Sequence, residues 1–362
     1  MSKRIAILTG GGDCPGINAV IRAITKKAIL EYDMNIIGIE DGFEGLVLNK
    51  QRKLTYEDVS GILTLGGTIL GTSNRANPYK YPVKNNGKTE WKDLSTKVLQ
   101  NFKKLDADCL ICVGGDGTLR IAQRLFEEGV PVVGVPKTID NDIQGTDITF
   151  GFDSAVRIAA EGIDRVHTTA QSHHRVMIVE VMGRSAGWIA LYSGVAGGGD
   201  IILIPEIPFD INIVAEKVRA RNKKGKRFSI VIVAEGARPE GEEVVVQKIE
   251  KDGSEAVRLG GIGFVLGERL RKLTNIETRT VVMGHLQRGG PPTSFDRILG
   301  TQLGVTAVDL IENEDFGFMV GVTGNDFVRV PLETVSKGAR QVPSDHMLIK
   351  SARSIGTCFG DI

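Results

Sequence analysis

The sequence predicts an α/β fold of two doubly wound, largely parallel-sheet lobes with the active site in the cleft between them. Three observations carry this prediction. Short β-branched apolar runs alternate with stretches of helical periodicity, the runs are continuously apolar rather than alternating, and several of them end in glycine. The alternation is the rhythm of βα units. A strand that is apolar on both sides needs cover on both faces, which helices supply in a doubly wound sheet. Ligands in such sheets bind at the carboxyl ends of the strands, so functional loops should follow the strands. The 362 residues exceed what one hydrophobic core usually supports, hence two lobes.

The apolar runs fall at residues 5–8, 35–39, 108–113, 130–135, 176–181, 201–204, 230–234 and 280–283. The first lobe is expected at 1–151 with a return at about 287–337, and the second at 152–286 with about 338–362. Residues 80–91 are polar and read as a surface excursion. The basic run 221–228 reads as a solvated helix end and turn.

Composition narrows the chemistry. Forty-five basic residues against 44 acidic leave a net charge of +1, too little for binding that neutralises many nucleic-acid phosphates. Any anion site must be local. Glycine stands at 45 residues, well above the usual ~7%, and tight glycine turns commonly lie against phosphates. Cys109 and Cys112 have a metal-like or redox-like spacing, but they sit inside one apolar run with no second pair, so buried strand residues are expected. The first residues lack a secretion-signal pattern, and no apolar window approaches the ~18 residues of a membrane-spanning helix. A cytosolic, reduced protein is expected.

Three strand-end loops carry polar chemistry. After the first run comes Gly10-Gly11-Gly12-Asp13-Cys14-Pro15-Gly16, then Asn18 on a helix. Glycines let backbone N–H groups approach an anion, and a helix N-terminus adds partial positive charge. The run 108–113 ends in Gly114-Gly115-Asp116-Gly117-Thr118, where a carboxylate among glycines could hold a magnesium ion bridging nucleotide phosphates. The plain alternative is a glycine turn with a capping Asp116, but Thr118 is an equally good cap and sits closer to the helix that Leu119 begins. The run 130–135 leads into Pro136-Lys137-Thr138-Ile139-Asp140-Asn141-Asp142, whose two carboxylates can divide the tasks of accepting a hydroxyl proton and contacting the metal shell. The second lobe supplies cations: Arg175, Arg184 after Met182-Gly183, Arg279, and Arg288 after His285. Arginine forks match phosphate oxygens. Arg184 and Arg288 follow strands, whereas Arg175 and Arg279 precede theirs and could reach a cleft only from another subunit. Glu235 follows the run 230–234 and could bind a sugar hydroxyl.

These residues resemble the phosphofructokinase family of paired α/β lobes, nearly end to end. The motifs stand in order: 10–18, Gly66-Gly67-Thr68, 114–118, 136–142, 179–184 and 284–290. The resemblance implies a magnesium-dependent transfer of a phosphoryl group to the 1-hydroxyl of fructose 6-phosphate. It implies that Asp140 is the general base, assisted by Thr138 and Asp142, with Arg184 supporting the transition state. Asp116 matches the magnesium-site aspartate, Gly12 a backbone donor to the transferred phosphoryl, and Arg75 an arginine near the donor phosphates. Gly115, Gly117, Thr118 and Lys137 complete the donor loops. Met182, Gly183, Glu235, His285 and Arg288 match the sugar-phosphate pocket, and Arg175 and Arg279 match arginines of a neighbouring subunit. A homo-oligomer, commonly a tetramer, is implied.

The donor stays open between ATP and pyrophosphate. Gly117 leaves room for an α-phosphate where pyrophosphate users tend to carry Asp, and Phe43 could stack on an adenine. Lys137, Ile121 and the run 150–153 lean the other way. Sterics and charge at Gly117 weigh most, which favours ATP. His167 and Asp200 stand where ATP-using bacterial members tend to have arginine and glutamate, so their effector control is not assumed. A dinucleotide oxidoreductase would need GxGxxG, which is absent; a lipid or NAD kinase would share the 114–118 loop but lack the 136–142 and 182–184 constellation.

Overall fold

The computed structural model describes residues 2–85, 88–249 and 257–362. Its strands are β1 (Arg4–Gly10), β2 (Asn35–Ile39), β3 (Gln51–Leu54), β4 (Tyr81–Asn85), β5 (Lys88–Lys92), β6 (Cys109–Gly114), β7 (Val132–Pro136), β8 (Val176–Val181), β9 (Ile201–Leu203), β10 (Ser229–Ala234), β11 (Val246–Ile249), β12 (Val257–Leu259), β13 (Thr278–Val282), β14 (Phe318–Thr323) and β15 (Asp326–Pro331). Its helices are α1 (Ile17–Tyr32), α2 (Phe43–Leu48), α3 (Ser95–Leu105), α4 (Asp116–Glu127), α5 (Phe152–His173), α6 (Trp188–Ala196), α7 (Ile211–Lys223), α8 (Ile262–Thr274), α9 (Ser294–Glu312) and α10 (Met347–Ser354). Among the described residues no helix is long and apolar enough to cross a membrane.

Two main sheets form. One has seven strands in the order β15-β14-β7-β6-β1-β2-β3, parallel from β14 to β2 and closed by antiparallel strands at both edges. The other is the all-parallel order β13-β8-β10-β9. β1, β6 and β8 are buried along nearly their whole length, so helices must cover both faces. Cys109 and Cys112 point to opposite faces of β6, into two separate clusters of the core, as period-two geometry requires for residues three apart. They cannot share a metal ion.

The register sets the site. Gly10 pairs with Gly114 and Gly114 with Pro136, so the first three loops leave the sheet at one level. Ala234 pairs with Val181, which levels the loops of the second sheet in the same way.

Several elements differ from the sequence expectation. Residues 80–91 contain the antiparallel hairpin β4–β5, and β3 pairs antiparallel with β2. β3 buries one residue and the hairpin none, so no apolar run announces them. β14 is one short apolar run interrupted by Gly321, easily taken for the end of the preceding helix. Arg279 lies within β13 rather than before it, because the strand begins at Thr278. The basic run 221–228 does end α7 and turn, as expected, although Arg221 pairs with Asp200 at 2.7 Å.

Candidate active site

The loops at the carboxyl ends of both sheets enclose two cavities, of about 570 and 790 Å³. They share Gly12, Asn74, Asp116, Arg120, Arg184 and Arg288, and so form one cleft.

Helix α4 starts at Asp116 and not at Leu119. Gly115 occupies the cap position in an extended conformation with no side chain to offer, so the first N–H groups of α4 remain available to a ligand. Thr118 is therefore not a cap. It is buried, and it fills the space over two glycines: a Cβ on Gly10 or Gly114 would come within 2.6 or 2.3 Å of its side chain. A Cβ on Gly12 would lie 2.6 Å from Arg288 Nη1, the far end of a long side chain. Gly117 is different. Its φ is not positive, and a Cβ there would meet no atom within 4 Å. Neither backbone nor packing demands glycine at 117, so the space it leaves belongs to the cavity.

The loop after β7 holds a buried cluster of charges. Lys137 is 3% exposed and its ammonium donates to the Gly12 carbonyl; burial lowers its pKa. Asp140 is 3% exposed. Its Oδ2 accepts from Thr138 Oγ1 at 3.3 Å, and its Oδ1 has no hydrogen-bond partner among the described residues. Burial raises the Asp140 pKa, opposed by the guanidinium groups of Arg288 and Arg184. Asp142 is pushed up to about 7, first by burial and then by the charges of Asp140 and Asp116. Asn141 between them adopts φ 53°, a left-handed conformation uncommon away from glycine.

From the second sheet, Arg184 also takes a left-handed φ of 53°, and its N–H donates to Glu235 Oε1 at 2.9 Å. Its Nη1 reaches across to Asp116 Oδ1 at 3.3 Å. Burial raises the Glu235 carboxyl to about 7. Met182, Glu235, His285 and Arg288 line the second cavity together with Asp142. The Met182 N–H donates to Gln287 Oε1 at 2.8 Å. Gly183 stands beside them at φ 142°, with no room for a Cβ against the Ala186 carbonyl. The first cavity takes Phe43, Gly115, Gly117, Thr118, Lys137, Thr138 and Asp140, and Ala76, Tyr79 and Ile121 line it as well.

Among the described residues no three His, Cys, Asp or Glu side chains gather as a metal cage. That suits magnesium, which takes one or two carboxylates and completes its shell with substrate phosphates and water. Asp116 meets this description: its side chain is 36% exposed, lines both cavities and pairs with Arg120 and Arg184.

The phosphofructokinase family model matches residues 4–311. The chain belongs to the phosphofructokinase family. It is 53% identical over 361 residues, 99% of both chains, to the "ATP-dependent 6-phosphofructokinase 2" of Clostridium perfringens. It is also 49% identical over 340 residues, 94% of this chain and 96% of the relative, to the "Pyrophosphate--fructose 6-phosphate 1-phosphotransferase" of Amycolatopsis mediterranei. The crystal structure of Pichia pastoris phosphofructokinase in the T-state superimposes with a TM-score of 0.80 at 31% identity, covering 99% of this chain and 37% of that one.

Three arginines assigned from resemblance to other phosphofructokinases lie outside this chain's cleft. Arg75 is exposed and lines neither cavity, whereas its neighbours Ser73 and Asn74 do. Its backbone N–H donates to Ser73 Oγ at 3.3 Å. Arg175 and Arg279 lie away from both cavities and share Glu277, Arg175 at 2.7 Å. Asp200 is occupied by Arg221 and by the Ile230 N–H, and His167 packs edge-on against Phe228.

Sequence reasoning missed several residues of this phosphofructokinase cleft. Glu180 is 2% exposed, lines the second cavity and accepts the N–H groups of Gly261 and Gly263 at the start of α8. A single charged residue inside an otherwise apolar strand was the available signal. Arg120 and Arg124 line the first cavity from α4, one and two turns beyond Asp116, and the helical spacing could have found them.

Proposed function

We propose that this phosphofructokinase transfers the γ-phosphoryl group of ATP to the 1-hydroxyl of D-fructose 6-phosphate, giving fructose 1,6-bisphosphate in glycolysis. Gly117 carries the choice of donor. The open space it leaves belongs to a cavity that Phe43, Ala76, Tyr79 and Ile121 also line. A nucleoside triphosphate would use both the polar loops and that aromatic and apolar lining, while pyrophosphate would leave the latter unused.

In this reading Asp140 accepts the proton of the sugar 1-hydroxyl as the oxygen attacks the γ-phosphorus and the bond to the β-γ bridging oxygen breaks. The raised pKa from burial suits a base. Thr138 orients the acceptor, and Asp142 assists beside it. Arg184 and the N–H of Gly12 stabilise the charge on the transferred group, which is where phosphoryl transfer gains most from fixed donors. Gly115, Asp116, Thr118 and Lys137 belong to the donor side. Asp116 would hold magnesium, which would supply positive charge to offset the negative charge of the donor phosphates. Met182, Gly183, Glu235, His285 and Arg288 bind the sugar phosphate. Arg175 and Arg279 complete that pocket from a neighbouring copy in a homo-oligomer, commonly a tetramer, a role that fits their distance from this chain's own cleft. The seven-stranded layer then serves the donor, with residues 1–151 and about 287–337, and the four-stranded layer serves the sugar, with 152–286 and about 338–362. A cytoplasmic location accords with this reaction.

A pyrophosphate donor is the second reading, favoured by Lys137 buried at the cavity wall. The two are separated by incubating the purified protein with magnesium and fructose 6-phosphate, offering ATP or pyrophosphate separately, and measuring fructose 1,6-bisphosphate. Product with ATP alone is expected. Product with pyrophosphate alone would transfer the deciding role to Lys137, and product with neither would overturn the proposal.

A further inference from the structure

Residues 338–346 run from the short helical turn at 332–337 toward α10 and pass the wall of the second cavity at Ala339. On this path Arg340 touches the base loop at three places. Its N–H donates to the Asp142 carbonyl at 2.7 Å, and its guanidinium Nη2 donates to the carbonyls of Asn141 at 3.0 Å and Asp147 at 2.8 Å. Gln144 from the same loop donates to the Ala339 carbonyl at 3.3 Å.

The other side of Arg340 is fixed to the second layer. Its guanidinium stacks 4.2 Å above the Trp188 ring, and Trp188 Nε1 donates to the Arg340 carbonyl at 2.9 Å. Two residues on, the Val342 N–H donates to Glu206 Oε1, which also accepts the N–H of Gly187. Gly187 and Trp188 open helix α6, with only Ser185 and Ala186 between Arg184 and Gly187.

The carboxylate of Asp140 accepts a side-chain hydrogen bond from Thr138, within its own loop. Its place relative to Arg184 is therefore set by the backbone of that loop. Asn141, left-handed although it carries a Cβ, is a conformation that persists only where surroundings hold it, and its carbonyl is one of the three that Arg340 engages.

We propose that Arg340 is a positioning residue for phosphoryl transfer: it clamps the backbone of residues 141–147 to the start of α6 and thereby sets Asp140 against Arg184 across the cleft. This rests on the reading of Asp140 as the base. A guanidinium suits the task because its planar fork reaches two carbonyls while its face lies on an indole; an ammonium reaches one and cannot stack as a plane.

The test compares R340M and R340K with the wild-type chain. R340M should lower kcat by roughly 10- to 100-fold, the scale of a misplacement near 1 Å. Its KM for fructose 6-phosphate should stay within about threefold, since ground-state binding is not what the clamp serves. R340K should recover part of the loss. A wild-type kcat in R340M overturns the proposal, and so does a loss confined to KM or to the melting temperature. Amide hydrogen exchange provides a readout that does not depend on the reaction: residues 138–149 should exchange faster in R340M while residues 176–181 stay unchanged. If exchange responds but the wild-type protein forms no fructose 1,6-bisphosphate, the clamp stands and the base assignment fails; unaltered exchange overturns the clamp whatever the reaction.

Discussion

Thr138 donates its hydroxyl to Oδ2 of Asp140 at 3.3 Å while the same Oγ1 accepts the Asp140 N–H at 3.1 Å. The two residues close a small ring that leaves Asp140 Oδ1, buried and without a partner among the described residues, as the carboxylate's open acceptor. An orphaned buried acceptor is costly unless a ligand supplies the donor, and a sugar hydroxyl would do so. Asp140→Ser should lower kcat by ~10²–10⁴, the usual scale for losing a general base. Calorimetry should find fructose 6-phosphate binding nearly intact. Unchanged turnover would remove Asp140 from the chemistry.

Gly117→Asp tests the donor. A Cβ at 117 would meet no atom within 4 Å, so folding should be untouched and the melting temperature should match wild type. A carboxylate at the mouth of the cavity would repel the donor's phosphates; like charges ~4 Å apart at an effective dielectric near 20 oppose each other by about 4 kcal/mol. Activity with ATP should fall at least tenfold in kcat/KM, read from initial rates. An unaffected KM for ATP would show that the donor passes elsewhere.

Asp142 and Glu235 each have carboxyls pushed up to about 7 by burial, against ordinary values near 4. Between those two pH values the folded chain holds protons that the unfolded chain has released. Each group therefore contributes stability below pH ~4 that is lost as pH rises through 7. Asp142→Asn cannot ionise, so its stability advantage over wild type should grow from pH 5 to pH 8, toward an upper bound of about 4 kcal/mol. Denaturant titrations at several pH values without substrate measure this. A pH-independent difference would mean that Asp142 ionises as freely folded as unfolded.

All four cysteines are buried, and burial pushes the Cys14 thiol up to about 12. Thiolate is the reactive form, so a disulfide reagent should find almost no reactive thiol in the native protein and four after denaturation. A rapidly reacting native thiol would contradict the packing of Cys14 against Phe150. Zinc chelation should leave activity unchanged, because Cys109 and Cys112 face opposite sides of their strand.

Much of the cleft was legible because its chemistry follows the strands. Gly10, Gly114 and Pro136 end apolar runs, and the polar residues after them have few local reasons to be there. What stayed hidden depends on long-range partners. Arg340, Gln287 and Glu180 act on backbone groups far away in sequence, and no local pattern marks such a pairing. The beginning of α4 was misplaced because an extended Gly115 passes from strand to helix with no capping side chain, leaving Asp116 and Thr118 as the visible candidates. The edge strands β3, β4, β5 and β15 were missed because a strand facing solvent carries little of the apolar signal by which strands are found.

The place of β14 in the seven-stranded sheet reaches back to the ribosome. β7 borders β14, and the two are separated in the chain by residues 137–317, which include the whole second sheet. While those residues are being synthesised, β7 is an unpaired parallel edge with exposed N–H and C=O groups. From residue 136 to the end of β15 at residue 331 is about 195 residues, which at ~5–20 residues per second takes roughly 10–40 s. A nascent chain stalled within that interval should be the aggregation-prone form of this enzyme, and one released after β15 should not.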